Sequence, residues 1–434
     1  MLSLFFNRRH RDCEGSSRRE FLKVGTLGAG SLTLPGLLRA RAEAAASGKP
    51  VKDTSVVWLW LSGGPTHVET FDPKMTAPSE YRSTTGEETT AIPGVTVGGT
   101  FPGIARVADK MAFVRSFAHT NSGHSGGTHY VMTGYDNKTA DNGGLATKPS
   151  LGSIVSRVRG ASREGSGVPT YVRLGSIFAD GPSFLGTGYG PFDQNGQARK
   201  NMTLTLPEDR IGDRRNLLDS LDRMNRESDR SGLMQGLDQF EEQAFNLVFG
   251  NATKAFDTKA ESAKTVERYG KGLGEQMLLA RRLCEAGCGV VTLNYGGWDM
   301  HGSIAQSMKS RSPQLDQAVS AFVEDCAERG LDKNVLLVIT GEFGRTPRVN
   351  KNAGRDHWAP LSTLALSGGG LRMGQVIGES ASKVDVPKTQ PITPQDLMAT
   401  VFEVLGIDQR LHFPSPGGRP TPMIEKGRPI ADLV

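Results

Sequence analysis

Five short segments of the chain concentrate side chains able to hold a metal ion or an anionic ester. His67, Glu69 and Asp72 follow Gly63-Gly64-Pro65-Thr66, and Asp299 and His301 follow Gly297-Trp298. Glu342 and Arg345 flank Phe343-Gly344, and Asp356 and His357 follow Gly354-Arg355. The fifth segment runs from His119 to His129 through Asn121, Ser122, Gly123, His124, Ser125, Gly126, Gly127 and Thr128. Only eight histidines occur in the chain, and six of them (His67, His119, His124, His129, His301, His357) fall in these segments. Imidazole is a common ligand for borderline divalent ions, with carboxylates filling the remaining positions. The carboxylate-histidine pairs Asp299/His301 and Asp356/His357 therefore read as ligands of a divalent ion such as Zn, Mn or Ca, with His67 and Glu342 as additions. One or two such ions would orient an ester, neutralise developing charge and activate a nucleophile. For any single pair the competing reading is a surface loop with a capping aspartate.

Something must bring these segments together, and the apolar runs before them suggest what. Residues 55–61 (SVVWLWL), 289–295 (GVVTLNY) and 334–340 (NVLLVIT) are near-continuously apolar, and each stops at a glycine-containing loop that opens one of the segments. Such runs read as parallel strands buried on both faces. Residues 362–366 are a fourth candidate, ending at Gly368-Gly369-Gly370. Amphipathic helical patterns lie between them at 150–157, 217–249, 260–284, 314–329 and 394–405. Strands separated by helices predict an α/β fold with a mostly parallel central sheet and helices on both faces. In such sheets the chemistry lies beyond the carboxyl ends of the strands. Residues 180–210, rich in Gly, Pro and Asn, are expected to run over the surface as part of a lid or substrate wall.

The N-terminus has a different character. Ser17-Arg18-Arg19-Glu20-Phe21-Leu22-Lys23 precedes a modestly apolar stretch and then Ala40-Arg41-Ala42 and Ala44-Ala45-Ala46. A basic start, a short apolar region and small residues at a cleavage site define an exported precursor, and the arginine pair selects the twin-arginine (Tat) route. Residues 1–46 are thus expected to be a Tat signal peptide. The Tat machinery would be a partner, 47–434 the working domain, and the destination the periplasm or beyond. The apolar stretch, broken by Gly25, Gly28, Gly30, Pro35 and Gly36, is too short for a membrane span, and no stable span is expected in the mature chain. Beyond residue 46 the chain carries 43 basic and 42 acidic residues, so its charge gives no reason to expect nucleic acid or a membrane surface as partner. Three cysteines remain there, Cys284, Cys288 and Cys326, an odd number that argues against a disulfide framework; Cys284 and Cys288, four apart, read as core thiols rather than a metal or redox pair.

Taken together, Gly63-Gly64-Pro65-Thr66-His67, Gly297-Trp298-Asp299-Met300-His301, Glu342-Phe343-Gly344-Arg345-Thr346-Pro347 and Asp356-His357-Trp358 resemble the motifs of the domain-of-unknown-function family 1501. The ending, Thr393-Pro394-Gln395-Asp396-Leu397 with Leu405-Gly406-Ile407-Asp408 and Gly418-Arg419-Pro420, is similar too. The resemblance spans roughly residues 50 to 434 and implies an alkaline-phosphatase-like fold of the alkaline phosphatase/sulfatase superfamily. It implies one or two divalent ions and a nucleophile opening a helix that ends in Thr-Gly. Thr133-Gly134 resembles that helix end, which places the reacting group between Ser122 and Thr128. His124 would be nucleophile or base, with Ser122 and Ser125 as alternatives. Gly123, Gly126 and Gly127 would let backbone N–H groups face an anion at the helix N-terminus, and Arg345 would clamp an anionic oxygen. No C-x-P-S-R motif occurs, which argues against a formylglycine sulfatase. The expectation is an exported metal-dependent hydrolase of phosphate or sulfate esters acting on a small anionic ester. The alternative is a non-catalytic binding or scaffold protein that keeps the fold.

Overall fold

The computed structural model describes residues 53–163, 166–196 and 252–434. The expected signal peptide, the helix expected at 217–249 and the latter part of the 180–210 excursion lie outside the described residues.

The three apolar runs are strands, as their β-branched and aromatic content dictates. They are β1 (Ser55–Trp60), β5 (Val290–Asn294) and β6 (Val335–Thr340). The sheet is completed by β2 (Met111–Val114), β3 (Tyr171–Leu174), β4 (Phe192–Asp193), β7 (Leu364–Gly368) and β8 (Gln375–Ile377). Its order is β8-β2-β7-β6-β1-β5-β3-β4. All neighbours are parallel except β7, which runs antiparallel to both β2 and β6. The run at 362–366 is therefore a strand, but a reversed one. Its terminal glycines lie at the edge of the sheet opposite the ends of β1, β5 and β6.

Alternation along β1 shows that both faces are covered. Val57 and Leu59 pack in one apolar cluster with Met277, Leu283, Leu315, Val319 and Phe322. Those residues belong to α4 (Leu273–Glu285) and α5 (Ile304–Glu328). Val56, Trp58 and Trp60 pack on the other face with Val131, Ile154, Leu397 and Val401. These come from α1 (His124–Thr133), α2 (Leu151–Arg159) and α6 (Pro394–Leu405). The expected α/β architecture with helices on both faces is thus present.

Two helical expectations change. The pattern at 260–284 is broken by Gly270 and Gly272, both at positive φ, into α3 (Ala263–Tyr269) and α4. The helix expected from residue 314 is α5, which begins ten residues earlier and runs through Pro313. The expected core thiols Cys284 and Cys288 are buried and free, and so is Cys326. Among the described residues no helix is long and apolar enough to cross a membrane.

Candidate functional site

β6, β1 and β5 are adjacent and parallel, so their carboxyl ends open onto one sheet edge. The chain leaving β1 passes through Gly63 and Gly64, both at positive φ. A side chain on Gly63 would collide with the Trp298–Asp299 backbone, and one on Gly64 with the Phe343 ring. These close approaches need glycine. They bring the loops after all three strands into contact. Arg345, fully buried, fastens the bundle by donating to the carbonyls of Gly63, Gly64 and Arg355 and to the Asp299 carboxylate. Arg345 also pairs with His357 across a two-residue antiparallel bridge, which delivers the 356–357 segment to the same place.

Three histidines meet here, each held through Nδ1 by an acceptor. His124, first residue of α1, donates to Glu342 Oε1 at 2.8 Å. His301 donates to Asp356 Oδ1 at 2.9 Å, and His357 to the Ser122 carbonyl at 3.0 Å. With the proton on Nδ1, each Nε2 carries a lone pair, and all three Nε2 atoms turn to Asp299. The distances are 3.4 Å from His124 to Oδ2, and 2.9 and 3.2 Å from His301 and His357 to Oδ1. The Nε2 atoms of His301 and His357 lie 3.1 Å apart. Arg345 Nη1 lies 3.3 Å from the His301 Nε2 and can donate to it. The lone pairs of the other two neutral rings can bond neither one another nor a carboxylate, and a proton on a ring or a cation among them would relieve that repulsion. Ligand atoms of His124, Asp299 and His357 all lie within 4.8 Å of one another. Bonds of about 2.0–2.2 Å to a shared ion would span that with small side-chain movement. The buried Phe343 ring sits 5.1 Å from the His124 ring and 4.3 Å from that of His357, limiting their rotation.

The charge balance points the same way. Asp299, Glu342 and Asp356 are three carboxylates facing one guanidinium, Arg345, an excess of two negative charges while the rings are neutral. Partial burial would raise the Asp299 carboxyl, but the hydrogen bond and charge of Arg345 outweigh it and bring it down to about 2. The bond to Glu342 pushes His124 up, whereas burial pushes His357 down. Glu342 is 2% exposed and uses only Oε1, which accepts from His124 and from the Gly63 N–H at 2.8 Å. Its Oε2 has no partner among the described residues.

The structure therefore brings together His124, Asp299, His301, Glu342, Arg345, Asp356 and His357, and changes several expected roles. His67 is not in the cluster. It is buried, its Nε2 bonds the Val384 carbonyl at 2.9 Å, and burial depresses its pKa to about 4. Arg345 cannot clamp a substrate oxygen, because its donors are spent on the chain itself. Asp356 and Glu342 hold histidines by Nδ1 rather than stand among the Nε2 atoms. Ser122 is a structural element, its carbonyl holding His357 and its Oγ accepting from the Ala359 N–H at 3.0 Å. The expected anion cradle at the start of α1 is filled by Asp141, whose Oδ1 takes the N–H groups of Ser125 and Gly126 at 2.8 and 3.0 Å. Side chains on Gly123 or Gly126 would collide with Asp141, which gives these glycines their reason. His119 and His129 are buried and hydrogen-bonded away from the cluster.

Beside the histidines lies a cavity of about 380 Å³, lined by Trp60, Ser62, Ser125, Thr128, Ile177, Phe178, Asp299 and Glu342 among others. Asp141 adjoins no apolar run, and the 176–178 wall follows Gly175 at the end of a strand, YVRL, too short and too polar to show as a run.

The chain belongs to the family described as protein of unknown function (DUF1501), whose model matches residues 53–434. No curated protein matches it. Among solved structures it is similar to the PsFucS1 sulfatase from Pseudoalteromonas sp., at 13% identity and TM-score 0.41, covering 86% of this chain and 72% of that one. It is also similar to the phosphonate monoester hydrolase SpPMH from Silicibacter pomeroyi, at 12% identity and TM-score 0.37, covering 87% and 76%. A TAB5 alkaline phosphatase mutant with Mg bound in its M3 site is similar at 11% identity and TM-score 0.36, covering 83% and 100%.

Proposed function

We propose that this protein is a metal-dependent hydrolase of phosphate or sulfate esters, with His124, His301, His357 and Asp299 holding a divalent ion. The observation that carries the reading is the convergence on Asp299 of three Nε2 atoms whose Nδ1 partners fix the tautomer. Metal-ligating histidines are held in this way, by a carboxylate or carbonyl on the other nitrogen. The two uncompensated carboxylates supply the charge that a divalent cation neutralises. When bound, the ion would neutralise charge developing on the ester oxygens.

The chain's own groups have separable tasks. Arg345 holds Asp299 ionised and in place. Asp356, Glu342 and the Ser122 carbonyl fix the three rings. Glu342, which lines the adjoining cavity, is the carboxylate that would take a proton from an attacking hydroxyl or water there once its buried Oε2 is opened to it. Ser125 lines that cavity at the start of α1 and is the hydroxyl of the expected pair that the fold does not use for support.

Elemental analysis of protein purified without chelator, with turnover of aryl phosphate and aryl sulfate esters, tests the reading. One equivalent of metal, lost in His301→Ala together with turnover, is the expected result. Protein that neither contains nor takes up Zn, Mn or Ca would overturn it. The occupation of the α1 amides by Asp141 favours a second reading, a binding protein without turnover, because the fold then offers no backbone cradle there for an anion. Stoichiometric metal with no hydrolysis of any ester would select it. We also propose export by the Tat route, on Arg18 and Arg19. Retention of the precursor when both are lysine is expected, and normal export would refute it.

A further inference from the structure

We propose that the cavity beside the histidines seats a neutral, flat-faced ring on Phe178, so that the substrate is a monoester whose body is an aryl group or an uncharged sugar. The ester end of this inference rests on the hydrolase reading above; the ring end stands on the cavity itself.

The lining of the cavity divides into two chemistries. Asp299, Glu342 and His124 form the charged part, and Trp60, Ile177 and Phe178 the apolar part, with Ser62, Ser125, Thr128 and Ser176 between. About 380 Å³ is in the range of small-ligand pockets and accommodates a ring together with its ester group. Trp60 and Ile177 are buried, but Phe178 is 37% exposed, one of the few large apolar side chains left so among the described residues. A phenyl face offered to a cavity can stack on an aromatic ring or on the C–H face of a sugar.

Phe178 is presented by a locked loop. Gly175 at φ +103° and Ala179 at φ +59° turn the chain sharply on either side. A non-glycine residue in that conformation persists only where its surroundings impose it. Here the next residue, Asp180, is buried and accepts from Thr292 Oγ1 at 2.7 Å and from the Tyr171 hydroxyl. At the other end, Asn294 Nδ2 donates to the Ser176 carbonyl at 2.6 Å. The wall is therefore preformed, and its ring needs little ordering on binding.

Charge excludes the main competitor. No lysine or arginine lines the cavity among the described residues, and the carboxylates of Asp299 and Glu342 stand in its wall. A second sulfate or phosphate on the substrate body would meet negative charge without a counterion.

The test measures binding rather than turnover. Trp60 lies in the lining, so 4-nitrobenzyl alcohol, a neutral aryl quencher, should quench tryptophan fluorescence saturably in the full-length protein, and Trp60→Phe should remove that component. Methyl glucoside, followed by calorimetry, forms the sugar arm, and a disulfated disaccharide the polyanion arm. Saturable binding of either neutral probe, weakened about tenfold in Phe178→Ala and restored to within about threefold in Phe178→Tyr, is expected; which probe binds identifies the body. Unchanged melting temperature in Phe178→Ala separates loss of the ring from loss of the fold. Neutral-probe binding indifferent to Phe178, or tighter binding of the disulfated sugar, would overturn the proposal. Binding that depends on Phe178 in a protein that turns over no ester would leave this seat standing and remove the hydrolase reading alone.

Discussion

Two regions of this molecule concentrate charge, and they are built on opposite principles. Behind the sheet, four arginines (Arg268, Arg281, Arg282, Arg329) face four carboxylates (Glu261, Glu285, Asp325, Glu328) across α3, α4 and α5. Its centre, Arg281, has no exposure and lies 2.9 Å from Glu261, 2.6 Å from Glu285 and 3.0 Å from Asp325. The Glu261 and Asp325 approaches lie off the N–H directions, so charge rather than ideal hydrogen-bond geometry joins them. Asp325 also accepts from the Tyr269 hydroxyl at 2.9 Å and from Arg329 Nε at 2.8 Å. At the strand ends, by contrast, three carboxylates face a single arginine. Three ring nitrogens with lone pairs crowd the same oxygens, and most of the side chains there are close to half exposed. The closed network neutralises itself and serves the fold. The open one is short of positive charge while its rings are neutral, which is the basis of the metal-site reading proposed above.

The comparison is broken most directly at its two centres. Arg281→Met leaves Glu261, Glu285 and Asp325 without the guanidinium between them. Removing one side of a buried charge network costs about 3–5 kcal/mol, so urea unfolding should show a loss of that order with metal content unchanged. His301→Ala should do the reverse. In metal-free protein it removes a crowded, half-exposed ring and shifts unfolding by no more than about 0.5 kcal/mol, while metal occupancy falls. If His301→Ala destabilised the metal-free protein as much as Arg281→Met, the open cluster would be structural after all.

The next test concerns the supports of the rings. Asp356→Asn keeps the shape of the partner of His301 Nδ1 but removes its charge. Loss of such a partner weakens metal binding about 10- to 100-fold, measurable by competition with a chromophoric chelator. The same substitution in the closed network, Asp325→Asn, should leave metal affinity untouched.

Much of this division was legible in the sequence, for a physical reason. Apart from Asn294 and Asn334, residues 55–61, 289–295 and 334–340 are buried, so their apolar runs are continuous and their ends are sharp. The ligand-type residues after the second and third runs, Asp299, His301, Glu342 and Arg345, converge, whereas those after the first do not. β2 and β3 escaped notice because MAFV and YVRL are four residues long, too short to show a period. The reversal of β7 depends on partners distant in sequence, which its own residues do not encode. His67 misled because it follows a strand end like the others. Its fate was decided by a contact with Val384, 317 residues away. The closed network was invisible for the same reason: Arg281 and Asp325 look like ordinary residues of amphipathic helices until α4 and α5 pack.

Acid separates the regions further. For Asp325, burial alone would raise the carboxyl, but the Arg329 hydrogen bond and the Arg281 charge outweigh it and hold the group below its ordinary value. A folded value below the unfolded one means that the stabilisation is complete above about pH 4. It is then lost as pH falls from there through the lowered folded value. Asp325→Asn cannot titrate, so its stability should decline less steeply than that of the wild type between pH 5 and pH 2. Parallel declines would mean that Asp325 contributes nothing through its charge.

The smallest expected effect lies at the rim of the closed network and decides where its strength resides. Glu328 receives two bonds from Arg268, at 2.7 and 3.0 Å, a geometry as good as any in the interior. Its side chain is 61% exposed, however, against 3% for Asp325. An exposed pair gains little, because water screens it and two long side chains must be ordered to form it. Glu328→Gln should therefore cost no more than about 0.5 kcal/mol by urea unfolding, and that loss should vanish in 1 M salt, where the screening length falls to about 3 Å. The buried centre is screened far less, so the loss in Arg281→Met should persist at the same salt concentration. Equal salt sensitivity of the two variants would show that the network acts as a surface charge patch. The contrast with the strand-end cluster would then rest on charge balance alone rather than on burial.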